Sequence, residues 1–181
     1  MWEILSLIAG VLAVAFFLIC FQLKKRKSII ICNITSRVLY IAQYCLIGQF
    51  VGAVMDVAAV PSSTIASKKD NKFVSKFKIP LIILVNAIII AVGFLTIFLI
   101  ENGNLIGLLS IAGVLFETIA LWFNSEKLIR ICSLFGAPCW FVYNIICGAY
   151  ASAVGNVLTV ISIVVALCRY NSSARAKIID K

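Results

Sequence analysis

Three charged side chains stand where apolar ones are expected. Arg37, Asp56 and Glu117 each lie well inside a long apolar run. On insertion scales a single charge at bilayer depth costs at least about 2.5–3.5 kcal/mol, so the three should be paired or wetted. One arginine cannot fully neutralise two carboxylates. Arg37 is expected to pair mainly with one acid, leaving the other able to carry a proton. Which acid takes which role stays open. The three form a charge network that could couple to protons, or a buried pair that merely pins helix packing.

Polar and aromatic residues accompany these charges at helical spacing. Asn33, Arg37, Tyr40 and Tyr44 recur at steps of four, three and four, which puts them on one helix face. Gly52, Asp56, Ala59 and Ser63 form a second stripe. Both stripes return about one hundred positions later, as Ser133, Ala137, Trp140 and Asn144, and as Ser152, Asn156, Thr159 and Ile163. Small or polar stripes on greasy helices face a bundle interior or a cavity, because polar atoms facing lipid stay unsatisfied. Asp56, Asn156, Tyr40, Trp140, Tyr44 and Asn144 are therefore candidate walls of a solute site. Taken singly, each aromatic or amide could equally be a packing residue. Asn33 and Asn86 read as interhelical hydrogen bonds, and Pro138 as a kink.

The elements that position these residues follow from hydropathy. The chain of 181 residues is 63% apolar and 13% charged, with mean hydropathy +1.12. A soluble chain is about half apolar and about a quarter charged, so an ordinary soluble domain is excluded. Seven apolar segments near the spanning length fill the chain, at about residues 4–23, 28–47, 50–67, 79–100, 105–123, 128–147 and 149–168. At about 1.5 Å per residue, Arg37 lies roughly 13 Å from its cytoplasmic helix end. On the same rise, Asp56 and Glu117 lie roughly 12 and 18 Å from the outer end, which puts all three near the midplane. The N-terminal Met1-Trp2-Glu3 lacks the basic region of a cleaved signal, so the first segment is expected to be retained.

Residues 28–66 match residues 128–166 without a gap, through Ile29/Ile129, Ile31/Ile131, Cys32/Cys132, Gly48/Gly148 and Ala53-Val54/Ala153-Val154. The first segment also has a copy, Ile8-Ala9-Gly10-Val11-Leu12 against Ile111-Ala112-Gly113-Val114-Leu115, at a spacing of 103. The expected fold is an all-α integral membrane protein. Its seven transmembrane helices form two parallel three-helix repeats joined by a linker helix, a 3-1-3 plan. Residues 1–68 form the first repeat and 69–103 the basic linker with its helix. Residues 104–168 form the second repeat and 169–181 a cytoplasmic tail. Parallel repeats place substrate sites near mid-bilayer at their interface.

The net charge of +9 does not point to nucleic acid. Lys and Arg gather in alternate loops, after segments one and three, near Lys127 and Arg130, and in the tail. That bias sets the N-terminus outside and the C-terminus in the cytoplasm. Anionic-lipid contact is a secondary reading of the same loops. Seven cysteines show no CxxC pair or metal spacing, and histidine is absent; no metal or cofactor is implied. The expected partners are the bilayer and a small polar solute, and a homo-oligomer is compatible with the sequence.

Gln22-Leu23-Lys24, Asn33, Ser36-Arg37, Leu39-Tyr40, Gln43-Tyr44, Gly48, Gly52-Ala53 and Asp56 resemble the YgjV-type bacterial inner-membrane protein family. The likeness continues through Trp140, Tyr143-Asn144 and Gly148. It implies location in the bacterial cytoplasmic (inner) membrane and no established function. The 3-1-3 plan is also similar to the SWEET sugar transporters and their PQ-loop relatives. That resemblance implies substrate contact from Asp56 and Asn156, with Trp140 as an aromatic neighbour. The chain departs from the SWEET pattern in lacking its prolines, Pro138 apart, and in the acidity of Asp56. The reading is a transporter of a small polar solute by alternating access. The alternative is a non-transporting structural or accessory membrane protein. An enzyme ranks last, since no nucleophile–base pair or nucleotide loop is present.

Overall fold

The computed structural model describes residues 2–23, 25–68, 71–100 and 104–179. Met1, Lys24, Lys69, Asp70, residues 101–103 and residues 180–181 lie outside the described residues, as do the side chains of the tail from Arg169. Every described element is helical: α1 Trp2–Gln22, α2 Arg26–Leu46, α3 Phe50–Ser67, α4 Lys72–Lys76, α5 Lys78–Leu99, α6 Gly107–Ala120, α7 Glu126–Ile146 and α8 Tyr150–Ile179. The backbone of the expected tail continues α8. In the basic linker, Asn71 caps α4 by accepting from the Phe73 N–H at 3.0 Å. Pro80 falls in the first turn of α5, where its missing donor costs nothing.

Among the described residues, six helices (α1, α2, α3, α5, α7 and α8) are long and apolar enough to cross a membrane. The segment expected at 105–123 is shorter than its hydropathy suggests. Its helix α6 has 14 residues, about 21 Å against a hydrocarbon core of about 30 Å. Short-range bonds end it. The Gly107 N–H reaches Asn104 O at one end, and the Trp122 N–H reaches Ile119 O at the other. Leu121 and Trp122 then pack with Ile30 and Ala66 instead of prolonging the helix.

Burial runs opposite to that of a soluble protein. Ile4, Leu7 and Val11 of α1 and Ile79, Ile83, Leu95 and Phe98 of α5 are exposed, while Asn33, Ser36, Arg37, Gln43, Asp56 and Glu117 are buried. An apolar exterior around a polar interior is what a lipid solvent selects.

Helix α2 packs on α1 and α3, and α7 packs on α6 and α8. Across these groups α1 meets α8 and α3 meets α6, with α5 against both α3 and α6. Close approach is visible at two glycines. A Cβ on Gly155 would sit 2.2 Å from Val14 Cγ2, where α8 meets α1. A Cβ on Gly93 would sit 2.6 Å from Ile111 Cδ1 of α6 and 3.3 Å from Met55 Sδ of α3, where α5 wedges in.

Helices α2 and α7 end in the same way. Gly48 and Gly148 both have φ of 74°. The Gln49 N–H reaches back to Tyr44 O at 2.9 Å, as Ala149 does to Asn144 O at 2.8 Å. The Gly48 N–H bonds Cys45 O and the Gly148 N–H bonds Ile145 O, both at 3.3 Å. These paired bonds are Schellman motifs, which need a residue able to hold the left-handed conformation. A Cβ at either glycine would meet nothing within 4 Å, so the constraint is conformational alone. Replacing Gly48 or Gly148 by Ala should cost about 1–2 kcal/mol. Thermal denaturation in detergent should show that loss, and Asn at the same position should recover part of it. Equal losses for Ala and Asn would mean that contacts, not φ, fix the turn.

Candidate functional site

The interior charge centre is built by three helices. Arg37 of α2 is only 2% exposed. Its Nη1 donates to Asp56 Oδ1 of α3 at 2.6 Å, and its Nη2 to Glu117 Oε2 of α6 at 2.7 Å. Its Nε donates to Asn33 Oδ1, one turn back on α2, at 3.1 Å. The arginine therefore bridges both acids rather than pairing mainly with one. A planar guanidinium with five N–H donors in a fixed fork can do this, whereas a point charge on a flexible stem holds no such geometry. The second acid reaches the same arginine because α6 lies against α3, the neighbour of α2.

Aromatic rings continue from this centre along α2 and α7. Phe17 meets Tyr40 edge-on with centroids 6.4 Å apart. Tyr40 stacks on Tyr44 and Tyr44 on Trp140, both at 6.2 Å. Trp140 meets Tyr143 edge-on at 5.7 Å. Its indole lies beside the Glu117 carboxyl and both line one cavity, which joins the ladder to the charge centre. The ladder fits because Gly113 of α6 lies under the indole. A Cβ there would be 2.7 Å from Trp140 Cδ1.

Hydrogen bonds tie the α1–α3 side to the α6–α8 side. Tyr44 Oη donates to Asn144 Oδ1 at 2.8 Å. Ser152 Oγ donates to Gln43 Oε1 at 2.7 Å. Gln22 Nε2 donates to Ser162 Oγ at 2.8 Å. Elsewhere Thr118 of α6 donates to Asn86 Oδ1 of α5 at 3.1 Å, an interhelical bond of the kind expected for Asn86. Asn33 accepts from Arg37 on its own helix and, at 3.5 Å, from Ser63 of α3, which is also interhelical.

These elements enclose a cavity of about 20 Å³ lined by Phe17, Arg37, Tyr40, Tyr44, Asp56, Glu117, Trp140, Asn144 and Asn156. Every residue named from the sequence as a site or charge-network candidate lies on this one wall. Phe17 is the addition. No signal marks it in the sequence, since a phenylalanine in an apolar helix carries no contrast. The cavity has room for about one water molecule. Asn156 is 6% exposed, and its amide nitrogen has no hydrogen-bond partner. Chemically, the wall offers two carboxylates sharing one arginine, four aromatic rings and an unused amide donor. Removing the arginine alone should strand both acids.

The chain belongs to a family described as bacterial inner membrane protein (Imp-YgjV), whose pattern matches residues 4–174. Neither the curated proteins nor the solved structures yield a match. With the apolar exterior and six spanning helices, this makes the protein a multi-pass inner-membrane protein in contact with lipid.

Arg37→Met should lower stability by about 3–5 kcal/mol, the cost of leaving buried charge unpaired. The triple variant Arg37→Met/Asp56→Asn/Glu117→Gln should regain a good part of that loss, because no unpaired charge is then left at the centre. Denaturation in mixed micelles checks both. A triple variant as unstable as the single one would mean that shape, not charge, is what Arg37 supplies.

Proposed function

Taking this chain as the inner-membrane protein that its family makes it, we propose that it moves a small polar solute by alternating access. On this reading it is a carrier and not an enzyme. The 14-residue α6, extended by its flanking turns, completes a seventh span. The two three-helix units are α1–α3 and α6–α8, with α5 as the linker, as in SWEET-like transporters. The N-terminus is outside and the C-terminus cytoplasmic.

Several observations support the unit boundaries. Exchanging α1 with α6, α2 with α7 and α3 with α8 turns each inter-helix contact of one unit into a contact of the other, and turns α1 against α8 into α6 against α3. The matching Schellman turns after α2 and α7 obey the same exchange. The observation that carries the function is the shared cavity. Residues from both units meet around one enclosed polar space inside a bundle whose exterior is apolar. Polar groups are expensive there, so a cavity that gathers them reads as a functional site.

The contacts suggest how the units part. On the side of the Gly48 and Gly148 turns, the Tyr44–Asn144 bond and the Tyr44–Trp140 stack close the cavity. Toward the other side, Arg37–Glu117 spans the units while Arg37–Asp56 stays within one. Opening outward breaks the first set. Opening inward breaks Arg37–Glu117, and a proton on Glu117 lowers the cost of that break by removing half of the pair's charge. Such a step would link solute movement to a proton.

A second reading, a structural or accessory protein, draws support from the cavity's size of about 20 Å³ and from the pairing of Arg37 with both acids. Side-specific labelling separates the two readings. In a background lacking the seven native cysteines, Asn156→Cys should react with an impermeant maleimide from outside in right-side-out vesicles and from inside in inverted ones. Cross-linking Tyr44→Cys to Asn144→Cys with a short bifunctional reagent should stop outside labelling only. Labelling from neither side would remove alternating access and leave the structural reading.

A further inference from the structure

We propose that the cavity is selective for a small organic monocation carrying a hydrogen-bond acceptor, an amino alcohol in chemical class. This deepens the transport reading and rests on it, because a cavity of about 20 Å³ must widen to admit such a molecule.

Charge comes first. The wall holds Asp56, Glu117 and one arginine, so it carries one negative charge in excess when both acids are ionised. Arg37 spends Nε, Nη1 and Nη2 on Asn33, Asp56 and Glu117. Its two remaining N–H donors, one on each Nη, lie beside the carboxylates, so an arriving anion meets their charge as well. The repeat supplies no second cation either, because the position matching Arg37 is Ala137, which is buried at 2% exposure. A neutral solute would leave the excess charge in the low-dielectric interior, and an anion would double it. A monocation, or a proton in its absence, balances it.

The rest of the wall agrees with this choice. Tyr40, Tyr44 and Trp140 present ring faces and edges to the same space. Ring faces attract cations, Trp most strongly, and the attraction grows when water is excluded. Asn156 adds an amide nitrogen that is buried, lines the cavity and has no partner. A buried donor without an acceptor is costly, so an occupant that brings a hydroxyl or carbonyl oxygen is favoured over a bare alkylammonium. The excess charge selects the ammonium, the rings hold its methylene or methyl groups, and Asn156 selects the oxygen.

Other groups facing the charge centre do not offset it. Cys20 of α1, Tyr40 and Tyr44 of α2, and Cys139 of α7 face it, and none of these is cationic. Arg130 of α7 is buried as well, but it is not among the residues that line the cavity. A bound monocation therefore competes with the proton that would otherwise balance the acids.

The test is binding to the purified full-length protein in detergent, read as the shift in melting temperature with ligand concentration. The probes are choline chloride, tetramethylammonium chloride, glycerol and sodium acetate, each against sodium chloride at equal ionic strength. Choline should raise Tm with dose, tetramethylammonium should do so at higher concentration, and glycerol and acetate should match the salt control. Asn156→Ala should abolish the difference between choline and tetramethylammonium. Asp56→Asn and Glu117→Gln should each weaken choline at least tenfold, and Asp56→Glu should retain binding, which guards against a folding defect in one variant. Where a proton is displaced, the apparent affinity should tighten by up to about tenfold per unit rise in pH. No choline effect beyond salt, or an equal effect from glycerol or acetate, overturns the proposal. Choline binding with Asn156→Cys labelled from one side only would keep the cation site and reject alternating access. Labelling from both sides without a choline effect would do the reverse.

Discussion

The bridge that Arg37 makes between Asp56 and Glu117 is the constraint on which the interior depends. Two carboxylates cannot lie in an apolar bundle without a counter-charge, and one fork-shaped donor set serves both. That geometry fixes α2, α3 and α6 relative to one another. It sets the depth of the polar layer and the place where the aromatic ladder must begin. Glu117 and Trp140 line the same cavity, and Trp140 stacks on Tyr44, which bonds Asn144. An ion triad is weak evidence of stability compared with apolar packing of similar volume. Its retention in the middle of a greasy bundle is better explained by the cavity it borders.

The repeat is conserved within the chain at different levels in different places. At the turns after α2 and α7 it is kept to the backbone bond, with the same left-handed glycine and the same pair of reaching N–H groups. Along the stripes the copies have diverged in chemistry: Arg37 against Ala137, Asp56 against Asn156, Ser63 against Ile163. Backbone geometry depends on a few residues with special φ, so it survives substitution elsewhere. The polar interior has room for one charge centre, so only one copy carries it. Helix α5 adds a further asymmetry by wedging between α3 and α6, which α1 and α8 lack.

Much of this was legible in the residues, for a physical reason. Charge in an apolar run is so costly that Arg37, Asp56 and Glu117 announce an interior, and helical spacing carries Tyr40, Tyr44, Trp140, Asn144 and Asn156 to the same face. What stayed hidden lacks contrast or depends on three-dimensional detail. Phe17 looks like any lipid-facing aromatic. Gln43 sits one position away from the stripe, so its bond with Ser152 of α8 could not be read. That Arg37 serves both acids at once depends on how close α6 comes, which no spacing encodes. The length of α6 was overestimated because hydropathy reports affinity for lipid or core and not continuity of helix. Leu121 and Trp122 satisfy that affinity by packing on Ile30 and Ala66 after the helix has ended.

The Tyr44–Asn144 bond joins one position to its own copy. In an assembly of two identical halves, a residue that meets its counterpart meets itself. Tyrosine would face tyrosine, or asparagine would face asparagine, and the central arginine would be buried twice. Covalent fusion lifts that restriction. Once both halves travel on one chain, the self-facing position can hold a donor on one side and an acceptor on the other, and a single guanidinium can suffice. The bond thus has a polarity that no symmetric homodimer of the half-length unit could possess.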